Sequence, residues 1–354
     1  MKRQRYLLTP IVVLIVLFAP VARAAETLPA QLTNEEFWKL SMQLSEPDGT
    51  FRSDNLLSNE NWFQYVIPEL NKTVKQGGVY LGVGPEQNFT YITALKPKMV
   101  IIFDIRRGNL DLHLMYKALF ELSKDRAEFV SRLFSKPRPE GLTAQSSAEE
   151  IFNAYSRVDS SDALYKENFK AIQDHLVKTH GFPVSDDDLD GIGYVYNNFY
   201  RFGPSISYNS STRGGFGGGG VTYADLMVAT DESGQFRSYL ANNENFEFMK
   251  TLHSKNLLVP VVGNFGGPKA IRAVGQYLKD KEAMVSAFYL SNVEQYLRQD
   301  GIWENFCRNV ATLPLDETST FIRSVRGGRY GLGTGLNSDL GNMRRETADC
   351  GIGR

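Results

Sequence analysis

Two short runs, VYLGV (79–83) and MVIIFDI (99–105), are apolar almost without interruption instead of at every second residue. Strands buried on both faces read this way, and such strands belong to parallel sheets covered by helices. Between the runs, EQNFTYITAL predicts a helix, and beyond them Leu112, Met115, Leu119 and Leu122 recur at spacings of three and four, marking the apolar face of another. Strand, helix, strand and helix in close succession predict a parallel α/β sheet. The pattern returns near the end of the chain. NLLVPVVGNFGGPKAIRAVGQYL reads as strand, loop and helix, AMVSAFYLSNVEQYL repeats the unit, and TFIRSV (320–325) gives a last strand. Upstream, residues 33–70 read as helical, with Thr33 and Glu36 spaced as a capping box ahead of Phe37, Trp38 and Leu40.

The remaining segments divide the chain. Residues 1–24 carry a basic head (Lys2, Arg3, Arg5), an apolar core from Ile11 to Ala19, and the small residues Ala22 and Ala24. This is the layout of a signal peptide cut after Ala24, and its apolar run is shorter than the roughly 20 residues a bilayer requires. The expected product is periplasmic or secreted and keeps no stable membrane anchor. Residues 25–76 follow as an N-terminal helical segment and 77–123 as the first half of the sheet domain. Residues 124–256 form a mainly helical insertion containing RGGFGGGG (213–220), read as a mobile loop. Residues 257–326 complete the sheet, and 327–354, rich in glycine, read as a flexible tail.

Charge narrows the partners. Cleavage removes four basic residues and no acidic one, taking the formal net charge from −1 to −5. No nucleic-acid partner is expected from such a balance, because a nucleic-acid groove needs a concentrated basic face. Only two cysteines occur, Cys307 and Cys350. In an oxidising compartment they either pair, tying down the end of the chain, or remain two thiols. No metal site is expected, since no Cys-His cluster has zinc spacing. DDDLDG opens like a calcium loop, but Asn197 stands where the bidentate glutamate belongs, and a helix starting at Ser185 accounts for the acids.

Candidate chemistry gathers at the predicted strand ends, where open parallel sheets bind ligands. Gly82 and Gly84 turn the first strand into its helix, so that bare backbone and the free N–H groups of a helix start face a ligand, with Glu86 and Asn88 beside them. Asp104 lies 20 residues after Gly84 at the end of the next strand, the place of a ribose-binding carboxylate. Arg106 and Arg107 follow it, either clamping an anion or pairing with helix carboxylates. GNFGGPK offers Asn264 and Lys269 to a phosphate or carboxylate. YLSNVE offers Tyr289, Ser291 and Asn292, although Ser291 and Glu294 also have capping-box spacing. His113, within an amphipathic helix, reads as packed or at a rim, and no Gly-x-Ser-x-Gly elbow occurs.

With the Gly-Val-Gly turn and Asp104, the chain resembles the class I S-adenosylmethionine-dependent methyltransferases. GVGPEQNFTYI, DIRRGNLDLHLMYKALFELS, VPVVGNFGGPKAIRAVGQYL and FYLSNVEQYL resemble, more closely, an uncharacterised bacterial family described only as methyltransferase-like, over about residues 30–325. The resemblance implies a Rossmann-like α/β sheet of the methyltransferase type, with Gly82 and Gly84 as the cofactor turn and Asp104 as the ribose acid. Two positions depart from the methyltransferase pattern: Tyr80 replaces the acid before the first glycine, and Glu86 stands where a third glycine is common. S-adenosylmethionine is therefore implied only by analogy of fold, the more so because an exported protein lacks a supply of it. Two expectations follow: a small nucleoside-like or anionic ligand bound at the strand ends, or a non-catalytic envelope protein with a degenerate cofactor site. A true methyltransferase is expected if the chain is not exported.

Overall fold

A computed structural model describes residues 27–211, 220–348 and 350. The signal-peptide segment 1–24 and nearly all of the glycine run 213–220 lie outside the described residues. The chain opens with α1 (Asn34–Leu44), whose Thr33 and Glu36 do form the reciprocal capping box. The rest of the stretch read as helical splits. Residues 45–62 carry no helix, and a 3-10 turn (Phe63–Val66) leads into the short α2 (Ile67–Thr73). Then come β1 (Val79–Val83), α3 (Gln87–Leu95), β2 (Met99–Asp104) and the long α4 (Arg107–Leu122).

Between β2 and β3 the chain is helical, through α5 (Arg126–Phe134), α6 (Ala148–Tyr155), α7 (Asp162–Asp174), α8 (Asp186–Phe202), α9 (Tyr223–Val228) and α10 (Asn243–Ser254). A five-residue π-turn, His175–Thr179, continues α7. The second half of the sheet consists of β3 (Leu258–Val262), α11 (Ala270–Asp280), β4 (Val285–Ser291), α12 (Val293–Gln299), α13 (Trp303–Val310) and β5 (Leu315–Arg326). The glycine-rich end is not an unstructured tail. It forms β6 (Leu336–Asn342) and the single turn α14 (Met343–Glu346). The physical reason is an edge to fill: β6 pairs antiparallel with β5 along seven positions, from Thr320 opposite Asn342 to Arg326 opposite Leu336. A disulfide between Cys307 and Cys350 ties α13 to this end.

The six strands run in the order β3-β2-β1-β4-β5-β6, parallel from β3 to β5. Every residue of β1, β2 and β3 is buried, so both faces of the sheet centre are covered, as their unbroken apolar runs require. The order reverses between β1 and β4, which leaves a crevice outside their carboxyl ends. Among the described residues no helix is long and apolar enough to cross a membrane.

Candidate functional site

A cavity of about 630 Å³ opens at the carboxyl ends of β1, β2, β3 and β4. That volume suits a ligand of drug-like size. Val83, Asp104, Asn264 and Tyr289 reach it from the four strand ends, and Asn292 from the start of α12. The opposite wall is the irregular segment after α1, with Phe51, Arg52, Asn55 and Glu60. An aromatic pair lines it, Phe51 and Tyr296, edge to face at 5.1 Å, with the Arg52 guanidinium over the Tyr296 ring.

Asp104 is buried and paired with its neighbour. Its Oδ1 accepts from the Arg106 backbone N–H (2.9 Å) and Nε (3.0 Å), and its Oδ2 from the Arg106 terminal nitrogen (2.8 Å). A carboxylate has about four acceptor positions, so one is left, on Oδ2. Arg106 is thus committed to Asp104, and its other terminal nitrogen to the backbone oxygen of Asp54. Arg107 pairs with Asp188, which also closes the capping box of Ser185 at the start of α8. The acids of DDDLDG are accordingly the first turn of a helix.

The glycine turn is built for internal contacts. A Cβ on Gly82 would meet Asn88 Oδ1 at 1.8 Å. Asn88 fills that space because it braces the turn: its Nδ2 donates to the carbonyls of Val83 (2.9 Å) and Pro85 (2.7 Å), and its Oδ1 accepts from the Tyr80 hydroxyl (3.0 Å). Gly84 adopts φ +73°, and a Cβ there would come within 2.9 Å of the Asn55 amide. Its carbonyl lies 2.9 Å from His113 Nε2. Since a carbonyl only accepts, Nε2 bears the proton. Burial holds the His113 pKa down to about 4, so the ring is a neutral latch on the turn. Glu86 is fully buried; burial pushes its pKa up to about 8, the Ser58 N–H reaches Oε1 at 3.3 Å, and Oε2 has no partner among the described residues.

The second glycine-bearing turn, between β3 and α11, is filled by a carboxylate from elsewhere in the chain. Glu46 Oε1 accepts from the backbone N–H groups of Lys269 (2.7 Å) and Ala270 (2.8 Å), and its Oε2 from that of Asn264 (3.1 Å). The Lys269 ammonium turns away to the Ser45 carbonyl at 2.6 Å. The anion site expected at this helix start exists, and Glu46 occupies it.

Of the residues the sequence singles out, Asp104, Asn264, Tyr289, Ser291 and Asn292 line the cavity. Gly82, Gly84, Glu86, Asn88, Arg106 and Lys269 do not. Sequence reasoning misses Glu60. It is buried, yet on the cavity wall, and three side chains donate to it: the Tyr289 hydroxyl (2.8 Å) and Ser291 hydroxyl (2.6 Å) to Oε1, and Gln87 Nε2 (2.8 Å) to Oε2. Burial raises its pKa, against the pull of those hydrogen bonds. Only a chain path that returns residues 50–60 over the strand ends makes Glu60 visible. No local motif marks it.

Compared with known protein families, the chain matches the model of a domain of unknown function (DUF7790) over residues 56–184 and 208–341, and it belongs to that family. The match includes the cavity residues Glu60, Asp104, Asn264, Tyr289 and Asn292. No curated protein matches the chain.

Proposed function

We propose that the cavity at the strand ends binds a small, nucleoside-like ligand on a sheet of the methyltransferase type. The observation that carries the reading is Asp104, with one acceptor position free, at the end of β2 beside the point where the strand order reverses. Support for the sheet type comes from the order 3-2-1-4-5 followed by an antiparallel edge strand. In this reading Asp104 accepts from a sugar hydroxyl, and Asn264 and Asn292 bond a polar ring edge. Phe51 and Tyr296 offer a face for an aromatic base, and Arg52 offers a cation for an anionic substituent.

The ligand lacks a methionine arm. S-adenosylmethionine carries a sulfonium and an ammonium that need acidic partners near the first turn. Tyr80 is bonded to Asn88 instead, Asn55 sits over Gly84, and Glu86 is buried off the cavity. A lost charge-assisted contact costs about 1.5 to 3 kcal/mol, or one to two decades in affinity. Export, with cleavage after Ala24, is part of the same proposal. The Cys307–Cys350 disulfide supports it, because such bonds persist in oxidising compartments.

Calorimetry with adenosine, S-adenosylmethionine and its demethylated product tests the reading. Adenosine is expected to bind the wild type, to bind Asp104→Asn at least tenfold more weakly, and to bind no more weakly than S-adenosylmethionine. Micromolar S-adenosylmethionine binding that Asp104→Ala abolishes overturns it and makes the protein a methyltransferase. One observation favours a rival, a non-catalytic protein with a degenerate site: internal groups, Asn55 and Glu46, fill both glycine turns. Absence of binding by all three compounds selects that rival. Export has its own check, since protein from the envelope fraction should begin at Ala25.

A further inference from the structure

Glu121 stands in the last turn of α4, roughly 21 Å along the helix from Arg107 and the cavity end at 1.5 Å per residue. Two histidines converge on it from the π-turn after α7. His175 Nε2 and His180 Nε2 each lie 2.6 Å from the same oxygen, Oε2. The π-turn makes this possible. Five residues apart on an α-helix, two side chains point about 140° away from each other. The His180 N–H instead bonds to the His175 carbonyl at 3.0 Å, an i to i+5 closure that brings both rings to one side. Such π-turns are frequent at functional sites.

The donor at His180 Nδ1 follows from its surroundings. Lys117 can only donate, and its ammonium lies 2.6 Å from Asn256 Oδ1 and 2.7 Å from Glu121 Oε1. Asn256 Nδ2 therefore points the other way, donating to the Leu32 carbonyl (3.0 Å) and to Asn34 Oδ1 (3.0 Å). Asn34 Oδ1 is thus an acceptor, and His180 Nδ1, 2.9 Å from it, must carry a proton. In a neutral ring that leaves the lone pair on Nε2, facing the lone pairs of a carboxylate oxygen. Two acceptors do not meet at that distance unless a proton or a metal cation lies between them.

We infer that Glu121, His175 and His180 form a divalent transition-metal site, with zinc as the cation whose preferences fit best. The three ligand atoms lie within 4.8 Å of one another. Two imidazole nitrogens and one carboxylate oxygen make a three-ligand zinc set that leaves a fourth position for water. Zinc bonds of about 2.0 to 2.2 Å put neighbouring ligands roughly 3.3 Å apart, so the two rings move outward by several tenths of an ångström on binding. The surroundings are those of a metal ligand set. Asn34 fixes the His180 tautomer through Nδ1, and Lys117 holds the carboxylate oxygen that points away from the metal. The side chains of His175, Glu121 and His180 keep 16%, 8% and 10% of their surface exposed, which leaves the cation a way in. Binding joins the end of α4 to the π-turn and, through Asn34, to the start of α1.

The test uses untagged full-length protein, stripped with a chelator and titrated with cobalt(II) and then zinc(II). One equivalent of cobalt should bind with visible d–d bands of a four- or five-coordinate site, and one equivalent of zinc should displace it. His175→Gln and His180→Gln should each weaken zinc by at least a hundredfold. Asn34→Ala, which touches no metal, should weaken it tenfold to a hundredfold by freeing the tautomer. Far-UV circular dichroism confirms that each variant is folded. Wild-type protein with no cobalt bands and no saturable zinc binding overturns the inference, as does zinc binding that survives all three substitutions. A nitrogen-15 spectrum showing His180 doubly protonated at pH 7.5 with zinc present also overturns it, since a proton then occupies the position assigned to the metal.

Discussion

The turns from β1 to α3 and from β3 to α11 share a plan and differ in their outcome. Each is a strand end with close-packed glycine, each starts a helix whose free N–H groups favour negative charge, and each has a glutamate at hand. At the second turn Glu46 comes from after α1 and accepts three backbone N–H groups. At the first, Glu86 stands at the N-cap of its own helix with helical φ and ψ, and its side chain does not cap the helix. It is buried with one long hydrogen bond and an unpartnered oxygen, and burial raises its pKa to about 8. Glu46 caps because it arrives from outside the helix and lies across the free amides. Glu86, at the N-cap and aimed into the core, is a buried acid, unlike Glu36 and Asp188, which sit in the first turn of their helices and close capping boxes.

The largest expected effect tests this contrast through pH. Glu86 has a folded pKa near 8 against an ordinary 4.5. The folded state therefore holds a proton that the unfolded state has lost, and stability falls as pH rises from about 4.5 to about 8. Glu86→Gln removes that term. Relative to wild type, the variant should gain about 1.4 kcal/mol per pH unit across this window, reaching on the order of 4 kcal/mol at pH 8. Urea denaturation at pH 5, 6.5 and 8 reads the difference, and a constant offset contradicts the assignment. Asp111, also pushed up to about 8 by burial and the nearby Asp188, keeps its own slope in both proteins.

Next in size is Gly82→Ala. Its Cβ would overlap Asn88, the brace of the first turn, and overpacking of this kind costs about 3 kcal/mol. Equilibrium unfolding measures it. A loss below 1 kcal/mol means the turn has slack, and hence room for a ligand against Gly82.

Glu46→Ala is expected to cost less, about 2 kcal/mol, because of the three amides it abandons that of Lys269 is exposed and the bonds from Asn264 and Ala270 are only partly buried. The comparison sharpens if millimolar inorganic phosphate then raises the melting temperature of Glu46→Ala and leaves wild type unchanged. Stabilisation of both proteins alike shows that phosphate binds elsewhere.

Much of this architecture is legible in local pattern. The unbroken apolar runs of β1 and β2 announce buried parallel strands, and Thr33 with Glu36, like Ser185 with Asp188, announce helix starts that the structure contains. Five of the residues marked at strand ends do line the cavity. The groups that complete the site were not legible. Glu60, Asn55 and Glu46 sit in or beside the irregular residues 45–62, which have no period to read, and their roles depend on where that segment crosses the sheet. His175 and His180 are five apart, a spacing that signals nothing until a π-turn aligns them. The glycine-rich end reads as a tail because strand propensity is weak there, and β6 forms because β5 presents an unpaired edge.

By itself the sequence determined the parallel strands, the helices between them and the two glycine turns. Strand burial, helix periodicity and capping are contacts within a few residues of one another, and their geometry is set by the local chain. Tertiary structure alone decided what fills those turns: Asn55 over Gly84, Glu46 on the start of α11, and Glu121 between two histidines 54 and 59 residues away. A buried polar group is satisfied by whichever partner the returning chain brings within about 3 Å, and that distance is fixed by packing the whole sheet and its helices together.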